Sequence, residues 1–582
     1  MAAWLILLSL LIPWLGALIV WLVGDDHPAI QHRFASGISI IGGAVSLLLL
    51  LIVDDSVAVS IHVGGSFGYF TLVADGLGVY LAIIAAVIGS LTVIFSNDYM
   101  KGEAQLGRFY SLTLLFIGAM IGLVLSGSLL FMFIFWEITA FCSYALISFH
   151  NDDPKAVYGG IKALIMTQIG GIGLLAGAII AYVYLGSYQI NDFLARADTF
   201  PSGIFTLLAF GFLIAAAAKS AQVPFHTWLP DAMEAPTPTS ALIHAATMVN
   251  AGVYLLARFQ PAFAPISGWG PAVMTVGLVS ALMAAILAVT TFDLKRALAY
   301  STISQLGYMF YAIGVGAIFA SQFHLFSHSV FKALLFLCAG AVIHAVGTRD
   351  MRQMGGLGRL MPFVMAVFFI GTLALAGLPI TNGFFSKELI LEAGLAHGPL
   401  WAYLGVLVGA GITGLYSIRM LSLVFFIKKQ GSEKAHHAPS AMRVSLFVLA
   451  FGTLTTWLLL GPFSQMLANT LPYHYLSSAN TPSIITEIIT TPMTWVALLV
   501  ILFGMVLWQM RARLSGVYKA LRPLVSITRQ DFGFEWLNQK IIQVTTKFAS
   551  ALRTTQTGQL NWNVLGIVTG LVLLLALLAW MG

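Results

Sequence analysis

Residues 219–258 read KSAQVPFHTWLPDAMEAPTPTSALIHAATMVNAGVYLLAR. An apolar run that closes on Lys219 breaks at Pro224 and resumes with His244 inside it. In hydrocarbon a charged side chain is costly, and an interrupted helix leaves main-chain groups that only protein or water can satisfy. The stretch therefore predicts that Lys219 faces the protein interior or a hydrated path.

The rest of the chain makes hydrocarbon the relevant solvent. Of 582 residues, 59% are hydrophobic and 9% charged, too few polar groups to cover a soluble domain. The formal charge of +6 fits the excess of Lys and Arg expected in cytoplasmic loops of a membrane protein, with no call for nucleic acid as a partner. Cys142 and Cys338 fall within apolar helices and read as packing residues, neither a disulfide framework nor a metal set. Residues 3–23 lack a basic leader and are long enough to span, so they read as a first transmembrane helix rather than a signal peptide.

Apolar runs of about 20 residues, enough for ~30 Å of hydrocarbon, predict an all-α polytopic protein with about sixteen transmembrane helices. Residues 1–107 hold the first helices and an extracytoplasmic segment at 54–75, where alternating apolar residues around GGSF predict a β-hairpin. Residues 428–510 add further helices, with 464–490 read as loop, and 561–582 hold a final helix. Most of the 28 basic residues then fall on one side, with only Arg196 and Arg258 on the other. This places both termini outside a bacterial-type cytoplasmic membrane. In 511–560, Phe534, Leu537, Ile541, Val544 and Phe548 recur at helical spacing between lysines, predicting a cytoplasmic-side amphipathic surface helix, either a linker or a partner-contacting arm.

Residues 108–262 and 263–427 align as two five-helix repeats. GGIKALIMTQIGG and SVFKALLFLCAGA place Lys162 opposite Lys332, and the breaks at Pro224 and Pro379 lie near Lys219 and Lys387. A repeat with an odd number of crossings must be inverted, and inverted repeats with matched broken helices mark ion transport near the midplane.

The intramembrane charges fit that reading. Glu137 is either a proton acceptor or half of an ion pair with Lys219, and separating such a pair would release the lysine's proton. His324, His328 and Lys332 lie a turn apart along one helical stripe, a spacing suited to a proton relay. His244 is placed to link the halves, and Lys387 to serve a terminal gate or to pair with Glu388. Lys162 reads as a relay member or as a snorkelling lysine. Asp231 and Glu234 read as proton-entry groups or helix caps at the cytoplasmic end. No carboxylate or cysteine is spaced to complete a zinc site with the histidines.

The motifs WLPDAMEAPTPTSALIHAATMVNAGVYLLAR, FDLKRALAYSTISQLGYM, FHLFSHSVFKALLFLCAGAVIH and GLPITNGFFSKE resemble the antiporter-like proton-channel subunits of respiratory complex I, subunit L above all. They also resemble the large subunit of Mrp-type cation/proton antiporters. The likeness covers roughly 75–427, with a weaker echo in FGFEWLNQK and QTGQLNWN. It implies a first-half pair of Glu137 and Lys219, a link at His244, a central relay of His324, His328 and Lys332, and a terminal half-channel at Lys387. The chain departs from both classes. Gly171 stands where complex I subunit L usually has an aspartate, and Asn250 where Mrp large subunits usually have a lysine. A surface helix of roughly 35 Å, at 1.5 Å per residue, also falls short of the long lateral helix of subunit L.

These features predict a proton-translocating subunit working with other membrane subunits in a larger, complex I-like assembly. Cysteine clusters, nucleotide fingerprints and haem patterns are missing from the sequence, so no cofactor is expected and any redox chemistry belongs to partners. An Mrp-type sodium/proton antiporter subunit is the alternative. A second alternative is a membrane subunit that couples energy to a soluble catalytic partner, such as one that captures inorganic carbon.

Overall fold

Long apolar segments become helices because, away from water, each main-chain N–H must find its carbonyl within the segment. The computed structural model describes residues 2–427, 437–514, 516, 520, 522–528 and 531–555. The predicted final helix at 561–581 lies outside them. Helices α1 (Ala2–Val23) and α2 (Pro28–Leu48) lead to strands β1 (Ala58–His62) and β2 (Tyr69–Val73). Next come α3 (Gly76–Tyr99), α4 (Leu106–Leu125), α5 (Leu129–Ile147), α6 (Pro154–Leu185) and the short α7 (Ile190–Ala195). The first broken region contains α8 (Ser202–Lys219), α9 (Trp228–Asp231), α10 (Thr237–Ala241) and α11 (Asn250–Phe263). It is followed by α12 (Trp269–Thr290), α13 (Leu294–Gly314) and α14 (Ile318–Val346). Then come α15 (Pro362–Ala376), α16 (Asn382–His397), α17 (Leu400–Leu421), α18 (Ser440–Thr455), α19 (Leu460–Thr470), α20 (Thr481–Thr490) and α21 (Pro492–Gln509).

Among the described residues, thirteen helical segments are long and apolar enough to cross a membrane. The protein is an integral membrane protein built mainly of helices. The predicted hairpin is present: β1 and β2 pair antiparallel from Ala58↔Val73 to His62↔Tyr69. The connecting loop turns on Gly64, Gly65 and Gly68, all at positive φ, where a side chain would be strained. The β2 side of the hairpin is held by the loop before α5, where the Gly127 amide donates to the Thr71 carbonyl at 2.8 Å.

One sequence expectation is corrected. Residues 464–490 are not a loop, since α19 and α20 occupy much of them. Pro482 at the first turn of α20 and the Asn480 side chain, which accepts from Ser483 N at 2.8 Å, start that helix in a stretch where apolar residues are sparse. The helix α8 ends at Lys219, five residues before Pro224, and Val223–Pro224 is a cis peptide bond. The next apolar segment, Thr237–Phe263, is not one continuous α-helix. A π-helical turn at Leu242–Ala246 interrupts it, with Thr247 in non-helical geometry.

Asp75 and Asp293 cap α3 and α13, accepting from Gly78 N at 2.9 Å and Arg296 N at 3.0 Å. α12 and α13 approach so closely that a Cβ on Gly307 would lie 2.5 Å from the Gly277 carbonyl. α14 is buried along nearly its whole length. The chain divides into two compact units, Met1–Tyr518 and Lys519–Gly582. Within the second, the helix Phe534–Thr555 leaves Trp536, Ile541, Val544 and Phe548 exposed. At 1.5 Å per residue that helix is about 33 Å long.

Candidate functional site

Two chain breaks place two buried lysines. Lys219 ends α8, and Trp228 Nε1 donates back across the break to the Ala218 carbonyl at 3.0 Å. Lys219 Nζ donates to the Trp136 carbonyl on α5 at 2.8 Å and stands 4.8 Å from the Trp136 ring centroid. Gly377, at positive φ, ends α15, and α16 restarts at Asn382. Lys387 Nζ reaches back to the last carbonyls of α15, Leu375 at 2.8 Å and Ala376 at 3.1 Å.

Glu137 lies one residue beyond the carbonyl that Lys219 holds. Its carboxylate interacts electrostatically with Lys219, yet its hydrogen bond comes from the Gln168 amide on α6. The predicted pair is therefore adjacent but not closed into a direct ion pair. Gly171 explains one departure from the complex I pattern. A Cβ there would sit 2.5 Å from Glu137 Oε1, so any longer side chain at 171 would collide with the carboxylate.

The stripe on α14 is present, with its members tied to different neighbours. His324 meets Ser386 Oγ on α16 at 2.9 Å and Gln305 Oε1 on α13 at 3.1 Å. Ser386 directly precedes Lys387, so His324 connects the stripe to the second break. The ring of His328 is fully buried, 6.4 Å from that of His324, and both its nitrogens lack a hydrogen-bond partner. Lys332 Nζ donates to Ser301 Oγ and to the Leu298 carbonyl on α13, at 3.3 Å for the carbonyl. His244 sits in the π turn between Trp228 and Phe336, also with both nitrogens unpartnered. Asn250 donates to the Ala245 carbonyl at 2.9 Å and to Ser329 Oγ on α14 at 3.0 Å. It thereby fastens the π turn to α14.

The remaining candidates form a separate polar cluster. Lys162 pairs with Asp231 at 2.7 Å, and Asp231 also takes Arg296 at 3.0 Å. Glu234 takes Arg349 at 2.9 Å, and Arg349 meets Asp293 at 3.3 Å. Burial works against the Arg349 charge, but the Glu234 hydrogen bond and the Asp293 carboxylate outweigh it and raise its pKa above the ordinary value. Asp231 and Glu234 are thus engaged with basic residues rather than open to water alone. Lys387 does not bond to Glu388, which is itself buried with Oε1 unpartnered.

Sequence reasoning missed several members. Lys295 counts as a loop charge by position, yet it is 3% exposed and donates to the Ala235 carbonyl at 2.6 Å. Arg258 and Asp75 form a bidentate buried pair at 2.5 and 2.8 Å across 183 residues of sequence. Gln168, Ser301, Gln305 and Ser386 carry no charge to draw attention.

The family model described as "NADH:quinone oxidoreductase/Mrp antiporter, TM" matches residues 126–413. Another, described as "NADH-Ubiquinone oxidoreductase (complex I), chain 5 N-terminus", matches 57–110. The chain belongs to the complex I/Mrp antiporter membrane-subunit family.

Within that family the chain is 40% identical over 442 residues to "Na(+)/H(+) antiporter subunit A1" of Staphylococcus aureus (strain JH9), covering 71% of this chain and 55% of that protein. The subunit of the same name from Staphylococcus haemolyticus is 40% identical over 419 residues, covering 67% and 52%. The chain thus spans about half the length of these curated relatives. The solved Mrp complex from Dietzia sp. DQ12-45-1b contains a chain matched with a TM-score of 0.85 at 28% identity, over 99% of this chain and 63% of that one. The fold is also shared with a chain of the archaeal membrane-bound sulfane sulfur reductase, with a TM-score of 0.71 at 23% identity, over 83% and 99%.

Proposed function

We propose that this chain is a proton-translocating, antiporter-like membrane subunit of a multisubunit complex. The observation that carries the reading is the bonding of Lys219, Lys332 and Lys387. All three are fully buried, and each donates only to neutral oxygen, main-chain carbonyls or a serine hydroxyl. Such a lysine can give up its proton without stranding a carboxylate that it had neutralised. Glu137, next to Lys219 but held by Gln168, supplies a nearby charge whose approach or withdrawal would bias that proton.

In this reading 108–262 and 263–427 are two inverted halves, each with a lysine at its break. His244, His328 and His324 carry protons between Lys219 and Lys387 by way of α14, and water fills the gaps. Lys162, Asp231 and Arg296 form the mouth of the first half, with Glu234 beside Arg349. Sixteen crossings with both termini outside, and Phe534–Thr555 lying along the membrane surface, complete the arrangement. The likeness to sodium/proton antiporter subunits favours exchange for sodium over redox-driven pumping.

The test is proton flux in vesicles holding the native complex, with Lys219→Met compared at equal insertion. Loss of flux in the variant supports the reading, and wild-type flux overturns it. Proton movement without sodium counterflux would reject the exchange reading and leave proton translocation standing.

A further inference from the structure

A cavity of about 580 Å³ lies between α2, α3, α14 and the α18–α19 region. Its wall on α3 runs from Tyr80 to Leu91. At 1.5 Å per residue those eleven steps cover about 16 Å, half of the ~30 Å hydrocarbon thickness. The groove is therefore one leaflet deep.

Its composition changes along that length. Polar residues lie near the hairpin end, where Asp54 precedes β1 by a few residues and Asn469 adjoins Thr470, whose hydroxyl accepts from Gly76 N at the start of α3. Further down the walls are aliphatic and aromatic apart from Thr456, whose hydroxyl is turned to the Gly452 carbonyl at 2.8 Å. Leu47 and Leu50 at the rim are 46% and 48% exposed on a face that can only meet lipid or another apolar body. No lysine or arginine lines the groove.

A polar end, an apolar trough one leaflet long and an acidic group without a basic neighbour describe the complement of an amphiphile carrying a positive charge. A transmembrane helix of a partner would be apolar through both leaflets and would leave this depth unmatched. The geometry points to a phospholipid site, in which one acyl chain fills the trough and an amine-bearing headgroup, of the phosphatidylethanolamine type, meets Asp54. The occupant rests on Val330, between His328 and Lys332 on α14, and on Tyr80, whose hydroxyl donates to Gln322 of the same helix at 2.6 Å. A bound chain would thus be packed directly against the helix that bears the histidine stripe.

Gly452 gives the means to block the groove, because a Cβ there would lie 3.2 Å from Val330 Cγ1. The intact protein is purified in mild detergent, exchanged into nanodiscs of mixed phosphatidylethanolamine and phosphatidylglycerol, and read by native mass spectrometry. One phosphatidylethanolamine per chain is expected to survive delipidation, to fall at least fivefold in Gly452→Trp, and to give way to phosphatidylglycerol in Asp54→Lys. Wild-type protein that keeps no lipid, or that keeps either headgroup equally, overturns the assignment. Should Gly452→Trp fail to insert, a phosphatidylethanolamine with a photoreactive tail is crosslinked to wild type. Labelling of peptides holding Val330 or Gly452 supports the site, and labelling confined to outward faces of α1 and α2 refutes it.

Discussion

Replacing Arg258 by alanine removes the cation that neutralises Asp75 in a nearly dry setting. The two side chains are 9% and 10% exposed and joined through both guanidinium nitrogens, while Tyr254 accepts two further bonds from the same group and donates to the Val124 carbonyl at 2.8 Å. Arg258 makes four hydrogen bonds in this network, two of them to the Asp75 carboxylate, so its loss strands a charge. Removing one member of a buried pair costs about 3–5 kcal/mol. Asp75 keeps its capping bond to Gly78 N in this variant, which places the expected loss near the lower end of that range. Arg258→Lys keeps the charge but loses the fork and should fall between. The double variant Arg258→Met with Asp75→Asn should recover about 2 kcal/mol relative to the sum of its singles, since no charge is left unpaired. Reversible unfolding in mixed micelles measures each arm of the cycle. A coupling below about 0.5 kcal/mol would refute the claim that this pair, rather than general packing, fastens α11 to α3.

Lys332→Met and Lys387→Met should each cut proton flux at least tenfold in vesicles while leaving insertion and complex assembly intact, as checked by quantitative blotting and native gels. Gly307→Val drives a side chain into the α12 backbone, which cannot yield as a flexible side chain would, and should destabilise by about 1–3 kcal/mol or more, seen as an earlier thermal unfolding midpoint. His474 supplies a pH test. Burial pushes its imidazole down to about 4; the Ala257 carbonyl at 2.8 Å and Asp75 work against that shift, while the Arg258 charge adds to it. The folded state thus favours the neutral ring. That contribution is fully present above about pH 6.5 and is lost as pH falls toward 4, amounting to about 3 kcal/mol. Thermal stability of wild type should decline over that window more steeply than that of His474→Gln, and parallel profiles would contradict it.

The parts of this fold that a sequence can show are those set by local chemistry. Pro224 and Pro379 announce their breaks because proline removes a donor, and the hairpin shows through period-two alternation around glycines. The stripe of His324, His328 and Lys332 follows from helical spacing alone. The π turn at Leu242–Ala246 has no such mark, since LIHAA is equally compatible with an α-helix and the bonds that hold the turn, from Thr247 Oγ1 to the Leu242 carbonyl and from Asn250 to the Ala245 carbonyl, come from residues beyond it. Lys295 misleads for another reason. Counting basic residues identifies a side of the membrane but cannot tell a solvated lysine from one that turns inward to hold the Ala235 carbonyl. Glu137 and Lys219 are legible as neighbours and not as a pair, because their bonds go to Gln168 and to a main-chain carbonyl whose availability no side-chain pattern records.

α14 differs from the broken helices in one respect that has mechanical weight. Its 29 residues include no proline and one glycine, Gly340, and no π turn interrupts it. At 1.5 Å per residue it is about 43 Å long, longer than the ~30 Å of hydrocarbon. A helix without a kinking element is stiff along its length, as a connecting rod is. A shift of its Gln322 end is delivered to Lys332 and His344 in the same direction and at the same moment, so the histidine stripe keeps its internal spacing while its distances to α13 and α16 change together. In the proposed pathway such a rod would change the partners of His324 and Lys332 in step while protons pass along the stripe.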